Sequence, residues 1–179
     1  MNGSNKKNII MCGIVGYIGN KNASKILVKG IKRLEYRGYD SAGISTIEGE
    51  EIITTKCKGK VSDLESILNV NIHKGMIGIG HTRWATHGEP NTKNAHPHSD
   101  SDNNFSLIHN GIIENHYAIK EFLLNKGVVF NSDTDTEVLV QFISYLYKEN
   151  SLSFFDTIRM ALKEVVGAYG IVVMCKNEP

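Results

Sequence analysis

The chain has 179 residues, 41% of them hydrophobic and 22% charged, with 20 Lys plus Arg against 19 Asp plus Glu for a net charge of +1. That balance argues against a nucleic-acid binder, which carries a basic excess, and against disorder, which needs high net charge and few apolar residues. No apolar run approaches the ~20 residues of a membrane helix, and the patch at residues 9–11 is too short for a signal-peptide core. Cys12, Cys57 and Cys175 make an odd count without a CxxC pair. A disulfide framework or zinc ribbon is therefore not expected, and a reducing cytoplasm is the simplest compartment.

Residues 1–11 are polar, lack periodicity and read as a leader or an addition rather than fold. Residues 12–18 (CGIVGYI) predict a buried, Gly-punctuated strand. Apolar spacing at Ile26, Leu27, Gly30, Ile31 and Leu34 predicts a helix over 24–34 with Ser24 as its N-cap. Residues 42–47 and 51–57 predict a hairpin turning at Glu48-Gly49-Glu50. Ser62-Asp63-Leu64-Glu65 matches a capping box opening a short helix to about Leu68. Residues 75–80 predict a Gly-rich strand. Residues 81–104, rich in His, Asn, Asp and Ser, predict a long polar loop of the kind that is either functional or disordered. A strand at 105–110, helices near 114–126, 134–148 and 153–166, and a strand at 168–175 complete the chain. The order lacks βαβ alternation, so the expected class is α+β in layers.

Three clusters are candidates for chemistry. Cys12 stands at the mouth of a Gly-rich strand, where backbone would hold a thiol rigidly; from position alone a buried cysteine is usually an inert small hydrophobe. Residues 81–98 concentrate His81, Arg83, Trp84, Thr86, His87, Asn94, His96 and His98. The planar fork of Arg83 suits a carboxylate. A metal site is a poor match, since the histidines come without a carboxylate or thiolate at ligand spacing. A solvated loop with structural histidines is the plain alternative. The third cluster is Asn110-Gly111 with Ser132-Asp133-Thr134-Asp135-Thr136-Glu137. Asn-Gly is ordinarily a turn, but it can aim a side-chain amide and a backbone N–H at one spot, as an oxyanion hole requires. The acids either cap the following helix or hold a substrate ammonium. Together the clusters describe a thiol, an oxyanion donor pair, a cation for a carboxylate and an anion for an ammonium. A substrate with both α-groups is an amino acid, and a thiol attacking its side-chain carbonyl points to glutamine or asparagine.

CGIVGYIG, RLEYRGYDSAG, GIGHTRWATHGEPNTKNAHPH, HNGIIENH and SDTDTEV, in this order, resemble the class II glutamine amidotransferase domain of the glutamine–fructose-6-phosphate aminotransferase (isomerizing) family, the glucosamine-6-phosphate synthases. The resemblance covers essentially all of Cys12 to Cys175. It implies an N-terminal-nucleophile hydrolase fold, an αββα sandwich of two antiparallel sheets between helix layers. It implies Cys12 as nucleophile with its own α-amine as general base, and Asn110 and Gly111 as oxyanion hole. Arg83 would hold the glutamine α-carboxylate, and Asp135 rather than Asp133 the α-ammonium. Thr86 and His87 would complete the substrate wall, Arg37 would help order the N-terminal region, and Trp84 would lie near the exit of ammonia. Cys57 and Cys175 have no motif role. No cofactor and no metal are implied. The implied partners are glutamine and isomerase domains that bind fructose 6-phosphate and are missing here, in a homo-oligomer. The implied product, glucosamine 6-phosphate, feeds UDP-N-acetylglucosamine synthesis.

Two departures accompany the resemblance. Eleven residues precede Cys12, and an acylated Cys12 nitrogen is an amide that cannot serve as base. Met11 directly before Cys12 predicts removal of residues 1–11 through a start at Met11 or by cleavage. The family's chains are also longer, so residues 12–179 are expected to be an incomplete domain with an unpaired edge at 168–175. The competing expectations are another class II amidotransferase, such as one feeding phosphoribosyl pyrophosphate, and a non-catalytic module that binds glutamine or docks a partner.

Overall fold

A computed structural model describes residues 12–84 and 89–178. Seven strands and five α-helices form four layers. One sheet has the order β1-β4-β2-β3, from β1 (Gly13–Ile18), β2 (Ser41–Glu48), β3 (Glu51–Lys58) and β4 (Ile77–Arg83). The other is β5-β6-β7, from β5 (His98–Ser99), β6 (Phe105–Ile113) and β7 (Gly167–Cys175), and every pairing in both is antiparallel.

Alternation along each strand assigns its two faces. On β2, Ala42 and Ile44 join Leu27, Ile31, Leu64 and Leu68 of α1 (Ala23–Leu34) and α2 (Val61–Val70) in one core. The opposite faces of the two sheets meet through Ile47, Ile79, Ile108, Met174, Ile14 and Val172. Beneath the second sheet, Phe105 and Leu107 pack on α3 (His116–Asn125), α4 (Asp135–Glu149) and α5 (Phe154–Glu164) through Leu123, Leu139, Ile143 and Ala161. The αββα order follows directly from this period-two patterning on every central strand. It matches the layered α+β expectation.

Glycines on β4 set the spacing between α1 and its sheet. A Cβ on Gly78 would stand 2.8 Å from Leu27 Cδ1 and 2.6 Å from the Ser45 carbonyl oxygen, and one on Gly80 would stand 3.3 Å from Ile31 Cγ2. The helix therefore sits close to the backbone of the strand that carries Arg83.

Local details differ from the sequence expectations. The N-cap of α1 is Asn22, whose side chain accepts from the Lys25 amide, and Ser24 is buried inside the helix. The box at α2 is shifted: Asp63, not Glu65, reaches back to the Lys60 amide at 2.8 Å, while Glu35 accepts from the Val61 amide at 2.7 Å. Residues 81–104 are not one solvated loop. His81 and Arg83 finish β4, His98 begins β5, and His81, His96 and His98 are buried. Asn110-Gly111 is not a turn but the middle of β6, opposite Gly170 and Tyr169, with Gly111 at φ +126°. A side chain at Gly111 would run into the Ala168 carbonyl and stand 2.7 Å from Tyr169 Cα, so the position is closed to any other residue. Thr134 and Ser153 cap α4 and α5, their side chains accepting from the Glu137 and Asp156 amides.

Candidate active site

Cys12 precedes β1, whose first residue pairs with Thr82 near the end of β4. That register brings the thiol to Trp84, whose backbone N–H donates to Cys12 Sγ at 3.2 Å, with Sγ 3.6 Å from the Trp84 carbonyl oxygen. Burial pushes the Cys12 thiol above its ordinary value, and the Trp84 amide offsets this only in part. The Cys12 side chain thus rests as a thiol, and a base is needed to make it a thiolate.

From the facing sheet, Asn110 Nδ2 donates to the Cys12 carbonyl oxygen at 3.0 Å. Its Oδ1 lies 2.9 Å from His81 Nε2. The strand pairings of β1 with β4 and of β6 with β7 therefore bring Cys12, His81 and Asn110 to one end of the sandwich.

Arg83 is the last residue of β4 and is buried, with Nη1 3.7 Å from Asp40 Oδ1. The Asp40 amide also donates to the Arg83 carbonyl oxygen at 2.7 Å, tying the YRGYD segment to the strand end. Asp40 was not singled out from sequence; its place in that motif beside an Arg-bearing block was the available signal. Trp84 follows with 39% of its surface exposed. Asp135 opens α4 and accepts from the Ile113 amide at 3.0 Å, while its Oδ1 lies 3.7 Å from His109 Nδ1. Burial raises the Asp135 carboxyl, but the His109 ring and the Ile113 amide outweigh it, so the group is held below the usual carboxylate range. Asp133 instead faces solvent in an ion pair with Lys93 at 2.8 Å. Arg37 bonds and stacks on its neighbour Tyr36. Thr86 and His87, and residues 1–11, lie outside the described residues.

Behind these groups is a buried polar layer. Thr136 Oγ1 lies 3.0 Å from His109 Nδ1 and 3.1 Å from His96 Nε2, and the His96 ring packs on His81 with centroids 4.3 Å apart. Burial lowers His81 to about 4 and holds His96 and His98 well below the ordinary histidine range, so all three are neutral near pH 7. Lys56 donates to the carbonyl oxygens of Ala95 at 2.7 Å and Pro97 at 3.1 Å, pinning the 95–97 segment over this layer. Among the described residues no group of three or more His, Cys, Asp or Glu is arranged to hold a metal ion. No helix among them is long and apolar enough to cross a membrane.

Comparison with known proteins gives this geometry a context. The glutamine amidotransferase domain family matches residues 68–153. Glutamine–fructose-6-phosphate aminotransferase [isomerizing] from Bacteroides thetaiotaomicron is 54% identical over 170 residues, covering 94% of this chain and 28% of that protein. Those from Clostridium tetani and Pyrococcus horikoshii are 53% and 51% identical, each over 94% of this chain. The chain resembles these proteins along nearly its whole length. It spans little more than a quarter of the length of these relatives, 27% of the Clostridium tetani protein and 28% of the Pyrococcus horikoshii protein. The Bacillus subtilis glutamine phosphoribosylpyrophosphate amidotransferase, solved with ADP and GMP, superimposes with a TM-score of 0.79 at 30% identity, over 92% of this chain and 35% of that one. A structure described as the allosteric regulatory enzyme of purine biosynthesis gives 0.81 at 32% identity, over 92% of this chain and 36% of that one. The amidotransferase domain accordingly has the N-terminal-nucleophile hydrolase fold. The pyrophosphate-linked relatives share that fold at about 30% identity, whereas the fructose-6-phosphate relatives share about half of the residues.

Proposed function

We propose that this amidotransferase domain hydrolyses glutamine through a Cys12 thioester and supplies the ammonia to fructose 6-phosphate held by further domains of a longer protein, giving glucosamine 6-phosphate and glutamate. The observation that carries the reading is the convergence on Cys12 of the Trp84 amide, 3.2 Å from its Sγ, and of Asn110 Nδ2, 3.0 Å from its carbonyl oxygen. The identity of about half to the fructose-6-phosphate enzymes supports that acceptor over a pyrophosphate-linked one.

The thiol proton passes to a base as Sγ attacks the glutamine Cδ. An α-amine at Cys12 titrates near 7.7–8.0 and is a competent neutral base at working pH, acting through water. The tetrahedral oxyanion is held by Asn110 Nδ2 and the Gly111 N–H. Its collapse expels ammonia, and water then hydrolyses the thioester to glutamate. Arg83 holds the α-carboxylate of glutamine and the Asp135 carboxylate its α-ammonium. Thr86 and His87 complete the pocket, Arg37 orders the N-terminal segment, and Trp84 lies on the ammonia route.

The mechanism requires a free Cys12 amine, so residues 1–11 are removed before activity, most simply by translation from Met11 and excision of that Met. The test compares protein beginning at Cys12 with protein beginning at Met1. The first releases glutamate from glutamine and the second does not; equal turnover by both would overturn the role of the amine. Retained glutamine binding without glutamate release, in protein with a free Cys12, would instead support a non-catalytic module.

A further inference from the structure

The candidate oxyanion donor has an orientation problem. An Asn side chain is nearly symmetric in shape, and only one of its two orientations offers N–H groups to the thiol side. The two contacts of Asn110 settle which orientation is held. The Cys12 carbonyl oxygen can only accept, so the Asn110 atom 3.0 Å from it is the donor Nδ2. The other amide atom, Oδ1, then faces His81 Nε2 at 2.9 Å, and an oxygen acceptor demands an N–H there. His81 is fully buried and neutral, so it carries one ring proton. The His109 backbone lies close enough to act on the ring, yet Nδ1 has no hydrogen bond of acceptable geometry among the described residues. A bare ring nitrogen there is better tolerated than an orphaned N–H. His96, packed against the ring, and Thr136, bonded to His96, hold the imidazole in place.

We propose that His81 is a positioning residue for glutamine hydrolysis: as the Nε2–H tautomer it donates to Asn110 Oδ1 and locks the amide with Nδ2 toward Cys12. Nδ2 has two N–H bonds. One holds the Cys12 backbone, and the other is available to the oxyanion. Without the His81 donor the amide turns over in nearly all molecules and presents an oxygen to the developing charge. The role rests on the reading of Asn110 as oxyanion donor.

Two measurements on protein beginning at Cys12 test this. The first reads the ring itself: two-dimensional 15N–1H correlation spectra of the histidine rings at pH 7.5. His81 is expected as Nε2–H. An Nδ1–H tautomer, donating toward the His109 backbone, would overturn the proposal whether or not the protein turns over glutamine. The second compares glutamine hydrolysis with alkylation of Cys12 by iodoacetamide, a displacement that develops no oxyanion. His81→Leu is expected to lower kcat ~100-fold, the scale of a lost oxyanion donor, with KM for glutamine and the alkylation rate within ~3-fold of wild type. His81→Gln, which restores an N–H at the Nε2 position, recovers kcat to within ~10-fold, and Asn110→Ala added to His81→Leu lowers kcat little further. Equal loss of alkylation and hydrolysis in His81→Leu, or no rescue by Gln, would mean a purely structural histidine. An inactive wild type would remove the hydrolytic reading while leaving the tautomer result to decide the position of the proton.

Discussion

Asn110 anchors the Cys12 backbone through one N–H of its amide, and the proposed mechanism gives the other to the oxyanion. Replacing it with Ala is expected to lower kcat for glutamine hydrolysis by ~100- to 1000-fold with little change in KM, because the lost interaction exists only in the transition state. Steady-state kinetics would check this, and a change confined to KM would contradict it. Arg83 and Asp135 belong to the other class. In the proposed mechanism they hold the α-groups of glutamine in ground and transition states alike, so Arg83→Ala and Asp135→Asn are expected chiefly to raise KM. Arg83 has a further consequence for its own segment, because the Asp40 carboxylate beside it would lose its cation. The choice between Asp133 and Asp135 shows what sequence offered and what it did not. Both lie in one acidic run, and only the start of α4 turns Asp135 to the Ile113 amide and His109 while Asp133 pairs with Lys93 at the surface.

At the scale of elements, the end of β4 and the 95–98 segment contribute three buried neutral histidines. Each has its folded-state value below the unfolded one, so the stability it contributes is present above about pH 6.5 and lost as pH falls toward about 4, the value of His81. Each such group adds a slope of about 1.4 kcal/mol per pH unit in that window. Urea midpoints are expected to fall steeply between pH 6.5 and 5; a flat profile across that range would contradict the burial. Tight packing of α1 on β4 gives a second prediction. Gly78→Val would force a side chain against Leu27 and the Ser45 carbonyl, and is expected to destabilise by about 1–3 kcal/mol in denaturant titration. Strand and helix order were legible in sequence because the central strands alternate while helices show their own apolar spacing, as at Ile26, Leu27, Gly30, Ile31 and Leu34. The polar stretch from His81 to His98 was not. Its residues are hydrophilic one by one, and their burial depends on partners distant in sequence, Thr136 on α4 and Asn110 on β6. Asn-Gly misled for a related reason: Gly111 needs its positive φ within a strand, where Ala168 and Tyr169 crowd it, rather than at a bend.

At the scale of the molecule, the two sheets act as two halves of one site. The first brings the thiol and the guanidinium from β1 and β4, and the second brings the amide from β6 and the carboxylate from α4. In the proposed reaction the nucleophile and its oxyanion donor come from different sheets, so turnover is expected to depend on the packing through Ile79, Ile108 and Met174. The proposed reaction is covalent, with glutamine passing through a glutamyl thioester on Cys12. The direct test is acid quench of protein beginning at Cys12 during turnover, followed by peptide mass mapping. A glutamyl adduct confined to the peptide that starts at Cys12, absent from Cys12→Ala, is the predicted result. Glutamate formation with no adduct at Cys12, or undiminished turnover by Cys12→Ala, would contradict it.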